Sequence, residues 1–152
     1  MTPSSLSSNA SFFNFHQSLF TGRVHFPRTH VNRVVLLDDG SWRVFRELVV
    51  DAPPGTPPAE AVFRPRFHVK GMSPTVNQWF SWLPIPFFAG LPGFRRKLWL
   101  VDPVSGDFSG YYEWQTPEDA EAYAHSFAMR FMTRRSVPSS VSARVMVNTH
   151  QL

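Results

Sequence analysis

An α+β fold is predicted by three features of this sequence: short β-branched or aromatic runs, two helix-start signals, and the order in which they come. From residue 61 onward that order is strand, helix, strand, strand, helix, strand. It is the split βαβ arrangement of a ferredoxin-like sheet, which places both helices on one face. The other face is then apolar and needs a cover, and a second copy of the chain is the simplest one.

Residues 1–18, "MTPSSLSSNASFFNFHQS", are rich in Ser and Asn without periodicity and read as a disordered tail. Residues 19–60 form an N-terminal extension. In it, "RVVLL" and "WRVFRELVV" flank Asp38, Asp39 and Gly40, a strong hairpin signal, and "DAPPGTPPAE" follows as a proline-rich connector. The hairpin can extend the sheet or cap an opening.

The ferredoxin-like domain is expected over 61–150. In "AVFRPRFHV", Phe63, Phe67 and Val69 alternate with Arg64, Arg66 and His68, and Pro65 marks an edge or bulged strand. Ser73 and Pro74 then open a helix whose stripe is Val76, Trp79, Phe80 and Leu83, ended by Pro84. "RRKLWLV", "DPVSGD" and "FSGYYEW" read as strand, turn and strand, and Gly110 hints at a bulge or a close approach to the backbone. Thr116, Pro117, Glu118 and Asp119 start the second helix, with a stripe of Ala120, Ala124, Phe127 and Phe131. Val141, Ala143, Val145 and Val147 alternate in the last strand.

The chain's 152 residues suit one domain, and its aromatic content of 15% is high. Large rings in that number either fill the core or line a cavity. The net charge of +4 comes from dispersed arginines, with no basic stripe, so no nucleic-acid partner is expected. Cysteine is absent, which removes disulfides, thiolate metal sites and cysteine nucleophiles, and suits a cytoplasmic location. Pro84, Pro86 and Pro92 interrupt the longest apolar stretch, so no membrane partner is expected. Metal-ligand spacing and nucleotide-binding motifs are missing, and no cofactor is expected, although a single histidine suffices for haem.

"LPGFRRKLWLVD" and "GDFSGYYEWQTPEDAEAYAHSFAMR" carry a more specific pattern in Pro92, Gly93, Phe94, Lys97, Trp99, Gly110, Tyr112, Trp114, Ala120 and Tyr123. It resembles the monooxygenase-like (YdhR-like) branch of the dimeric α+β barrel superfamily, akin to antibiotic biosynthesis monooxygenases. The resemblance implies a homodimer whose two sheets form a barrel, with a pocket in each subunit between sheet and helices. It also implies a hydrophobic, aromatic or polycyclic substrate of the polyketide kind. The first sixty residues depart from the compact family pattern.

Candidate site residues follow from chemistry. Trp79, Trp82, Trp99, Tyr112 and Trp114 can bind a planar ligand, with Tyr111 beside them, but alternation prevents Tyr111 and Tyr112 from facing one pocket. Their ordinary role is core packing. His68 is a candidate base, and Arg66 and His125 are candidate ligand contacts. Glu113 is a second base if burial raises its pKa, or else the partner of Lys97 or an arginine. By family analogy, Asn77 and Trp residues hold a phenolate and the oxygen that reacts with it, after His68 or Tyr111 has taken a proton. The expected activity is that of a cofactor-independent monooxygenase. A cyclase, isomerase or dehydratase of secondary metabolism, and a non-catalytic metabolite-binding protein, are the alternatives.

Overall fold

The computed structural model describes residues 23–71, 85 and 89–149. Its strands are β1 (Val24–His25), β2 (Val34–Leu37), β3 (Gly40–Val50), β4 (Ala61–Phe67), β5 (Phe94–Val101), β6 (Phe108–Trp114) and β7 (Ser142–Val147). Two helices, α1 (Pro117–Ala124) and α2 (Phe127–Arg135), lie between β6 and β7. The helix expected over 74–83 lies outside the described residues.

All pairings are antiparallel, and the strand order is β1-β3-β5-β6-β4-β7, with β2 also on β3. The run β7-β4-β6-β5 is the ferredoxin-like order, and β3 adds to its β5 edge. β4 is therefore a central strand, which corrects the edge position inferred from Pro65. Pro65 has no N–H to give to a ladder, and its carbonyl accepts the Ser109 hydroxyl at 2.7 Å. β7 takes the edge instead, so Val147 is exposed and Val145 meets the core from the expected stripe.

The second helical stretch is two helices. Thr116 caps α1 by accepting the Asp119 N–H, which stabilises the helix by about 1 kcal/mol. Ser126 accepts from Met129 N and starts α2 afresh. This restart turns Phe131 to solvent, and the buried residues are Ala120, Tyr123 and Met129.

Two apolar clusters form, one on each face of the sheet. Under the helices lie Leu48, Phe63, Phe94, Trp99, Tyr112, Trp114, Ala120 and Tyr123. On the second face lie Trp42, Val44, Val62, Leu98, Leu100 and Tyr111, each at most 1% exposed within one chain. β2 lays Val35 and Leu37 against this second cluster.

The β2–β3 turn is tied down across the same face. Asp39 accepts from Arg64 Nη2 (3.1 Å) and from Trp42 Nε1 (2.9 Å), and Asp38 pairs with Arg144 at 2.8 Å. The chain's own hairpin thus covers part of the second face. The physical reason is charge: Asp38 and Asp39 sit at the hairpin tip, and Arg64 and Arg144 wait on β4 and β7.

Candidate functional site

Two β-bulges decide which side chains meet the helices. Between β3 and β5 the register shifts between Val44 and Arg46. Trp42 and Val44 therefore face the hairpin, while Leu48 and Val50 face the helices. Between β5 and β6 it shifts between Phe94 and Arg96, so that Phe94, Lys97 and Trp99 share the helix face. Bulges of this kind re-aim side chains at the cost of a ladder position.

Lys97 then stands opposite Tyr112, and Trp99 opposite Gly110. The Lys97 Nζ lies 4.2 Å from the Trp99 ring centroid and 4.3 Å from that of Tyr112. Arg46 reaches the same Trp99 ring at 5.5 Å and is half-buried, whereas Lys97 is 5% exposed. Burial, and then the positive charge of Arg46, hold the Lys97 amine well below the ordinary lysine range. Burial also lowers the Arg46 guanidinium to about 10.

Gly110 is required by this packing. A Cβ there would lie 2.2 Å from Tyr112 Cε2, so the ring leans over a bare backbone. This is the close approach that Gly110 suggested. Deeper in, the Tyr123 hydroxyl donates to that of Tyr112 at 3.3 Å, and the Trp114 ring lies 5.3 Å from Tyr123. Burial pushes the Tyr112 phenol well above its ordinary value and that of Tyr123 up to about 12. The Trp114 Nε1 is buried and has no hydrogen-bond partner among the described residues.

The second face holds a separate polar group. Arg96 Nε lies 3.9 Å from Glu47 and 3.8 Å from Glu113, and His30 Nδ1 is 3.0 Å from Glu47. Burial raises the Glu113 carboxyl, with Glu47 adding to the effect and Arg96 and His30 opposing it. Tyr111 donates to Asn148 Oδ1 at 3.2 Å, and burial pushes its phenol to about 12. Near the turn after β5, Asp107 joins His68 Nδ1 (3.1 Å) to Arg66 Nε (3.0 Å).

The sequence candidates are therefore divided. Trp99, Tyr112 and Trp114 come together under the helices. Tyr111, Glu113 and Arg66 lie on the second face, and Glu113 meets Arg96 and not Lys97. His68 is half-exposed with Asp107, and His125 is exposed at the end of α1, 3.8 Å from Glu121. Asn77, Trp79 and Trp82 lie outside the described residues. Lys97 and Arg46 were missed as site residues. The Lys-x-Trp spacing held the signal for Lys97, because i and i+2 on a strand share a face. Among the described residues, no group of three or more His, Asp or Glu could hold a metal ion. No described helix is long and apolar enough to cross a membrane.

No family model matches the sequence, and no curated protein matches it. Solved structures do. A ferredoxin-fold protein from Listeria monocytogenes, related to antibiotic biosynthesis monooxygenases, aligns with a TM-score of 0.55 at 11% identity, over 76% of this chain and 69% of its own. A heme-degrading enzyme from the same organism aligns with a TM-score of 0.52 at 11% identity, over 69% of each chain. A major regulator of staphylococcal pathogenesis gives 0.54 at 12% identity, over 73% and 70%. The fold of this chain is thus ferredoxin-like, as in these proteins.

Proposed function

We propose that this ferredoxin-like chain is a small-molecule enzyme, a cofactor-independent monooxygenase of a hydrophobic aromatic or polycyclic substrate. One observation carries the reading: the buried Lys97 amine lies between the Trp99 and Tyr112 rings, depressed in pKa by burial and by Arg46. Such an amine gives up its proton more readily than an ordinary lysine and so can act as a base, and the rings beside it suit a flat substrate. Neither His68 nor Tyr111 lies in this cluster, so the base assigned here is Lys97.

Lys97 takes a proton from a methylene activated by flanking aromatic carbonyl groups. The carbanion passes one electron to O₂, and recombination forms the C–O bond of a hydroperoxide anion. The Lys97 ammonium returns its proton to that anion. Loss of water from the hydroperoxide then yields the ketone. The balance is R₂CH₂ + O₂ → R₂C=O + H₂O, in which the substrate supplies every electron. The Tyr112–Tyr123 hydroxyl pair and the buried Trp114 N–H supply donors for substrate oxygens.

The test is oxygen uptake with an anthrone-type substrate, with native protein and with Lys97→Met. Uptake above the uncatalysed rate that Lys97→Met abolishes is the expected result. Turnover that proceeds equally well without oxygen would instead assign the pocket to acid–base cyclisation or isomerisation. Binding without any product would assign it to a metabolite-binding protein.

A further inference from the structure

The open edges of the sheet are unequal. Among the described residues, β1 is two residues long and β7 carries Arg144, and short or charged strands resist pairing with another chain. β2 has neither defence. Its four residues, Val34–Leu37, are apolar throughout and pair with β3 on one side. Val35 and Leu37 pack onto the second cluster, whereas Val34 and Leu36 turn outward, 63% and 77% exposed.

The phase of the backbone follows from one bond. Val44 N donates to Arg33 O at 2.9 Å, so the alternation of an antiparallel ladder points the N–H and C=O of Val35 and Leu37 at β3. Those of Val34 and Leu36 point away from it, along an edge that no described strand covers. An edge of this kind takes another strand, and the ends of β2 say which. Exposed Arg33 precedes it, and Asp38, still exposed while holding Arg144, follows it. An antiparallel copy of the same strand brings the arginine end of each chain to the aspartate end of the other. A parallel copy would set like charges together.

We propose that β2 is an interface at which two copies of this chain join edge to edge, antiparallel, about a two-fold axis. Outward-facing residues must meet outward-facing residues, and an axis at Val35 sets Val34 against Leu36 of the second copy on both sides of it. An axis at Leu36 would set Val34 against Asp38, and one at Val34 would set Leu36 against Asn32. The contact is isologous and closes on itself, so assembly stops at a dimer. It differs from a barrel made of two stacked sheets, and it is independent of the Lys97 cluster.

The experiment is sedimentation equilibrium of the full chain, with amide exchange followed by NMR at low and high concentration. A four-residue seam is smaller than the interface of a permanent dimer, so half-dimerisation is expected at about 10–100 μM. Between about 10 μM and about 1 mM, the Val34 and Leu36 amides should slow at least about threefold, and those of Val35 and Leu37, already bonded to β3, should change less. Leu36→Lys alters the exposed side, keeps the packing of Val35 and Leu37, and abolishes both effects. Arg33→Glu faces Asp38 of the second copy with a like charge and weakens the dimer. A chain that stays monomeric at about 1 mM overturns the proposal and leaves the edge to a strand from a different protein. A dimer whose Val34 and Leu36 amides keep their rates also overturns it, because the contact then lies elsewhere, on a sheet face for example. So does a dimer that Leu36→Lys leaves intact, and so does growth beyond two copies.

Discussion

Replacing Lys97 by Met gives a thermodynamic test of the buried amine that needs no substrate. Met is close to Lys in length and shape without the charge, so packing against Trp99 and Tyr112 is largely kept. In the native chain the amine titrates well below its ordinary value of 10.5, first because of burial and then because of Arg46. Between the folded and unfolded values, the unfolded chain binds one more proton than the folded chain. Native stability therefore rises with pH through that window, by about 1.4 kcal/mol per unit for one group. From pH 7 to 9 the contribution is at most about 2.8 kcal/mol. Lys97→Met removes this term. The variant is expected to be more stable than the native chain at pH 7, with the gap narrowing steadily toward pH 9. Urea unfolding at half-unit intervals measures it directly, and the raised tyrosines act above this range. Two parallel stability curves would refute the claim that burial lowers the Lys97 amine.

Gly110→Ala places a methyl 2.2 Å from the Tyr112 ring, which must move away from Lys97. A loss of about 1–3 kcal/mol in urea unfolding, together with loss of oxygen uptake, is expected. Arg64→Met removes the buried arginine from Asp39 and frees the hairpin tip, at a cost of about 1–3 kcal/mol. Faster proteolysis near Asp38 is the accompanying signature, and an unchanged cleavage rate would contradict the clamp. Glu113→Gln removes a carboxyl raised chiefly by burial, so its ionised form opposes folding at pH 7. The variant should be the more stable at pH 7, and the gain should shrink as pH falls and the native carboxyl takes up its proton. A gain independent of pH would place the cause elsewhere.

The stretch from Phe94 to Ala124 was legible because its signals are local. Two runs of aromatic and β-branched residues flank a Pro-Gly turn, and Thr116 caps the helix that follows. The strand order could be read because βαββαβ has few right-handed solutions. Bulges were not legible, since an extra residue in β3 or β5 shows only against its partner strand. They determine which face receives Arg46 and Phe94, and with them the composition of the site. The split between α1 and α2 depended on Ser126 competing for Met129 N, a choice that apolar periodicity does not record. Pro65 misled because β4 is flanked by β6 and β7 despite the missing N–H, and the hydroxyl that its carbonyl accepts lies forty-four residues away. Nor did any local pattern tie Asp38 to Arg144.

That last contact also orders events as the chain is made. Val35, Leu37, Trp42 and Val44 leave the ribosome early, within a hairpin whose own pairing is local. The strands their side chains pack beneath, β4, β5 and β6, come later, and Arg144 comes after all of them. The β2–β3 hairpin therefore cannot latch until β7 has joined β4, and its apolar side must wait until then. Asp38 and Asp39 keep that waiting edge soluble, and the same two charges later latch it. Truncations that stop before residue 144 should thus depend on chaperones far more than the full chain does.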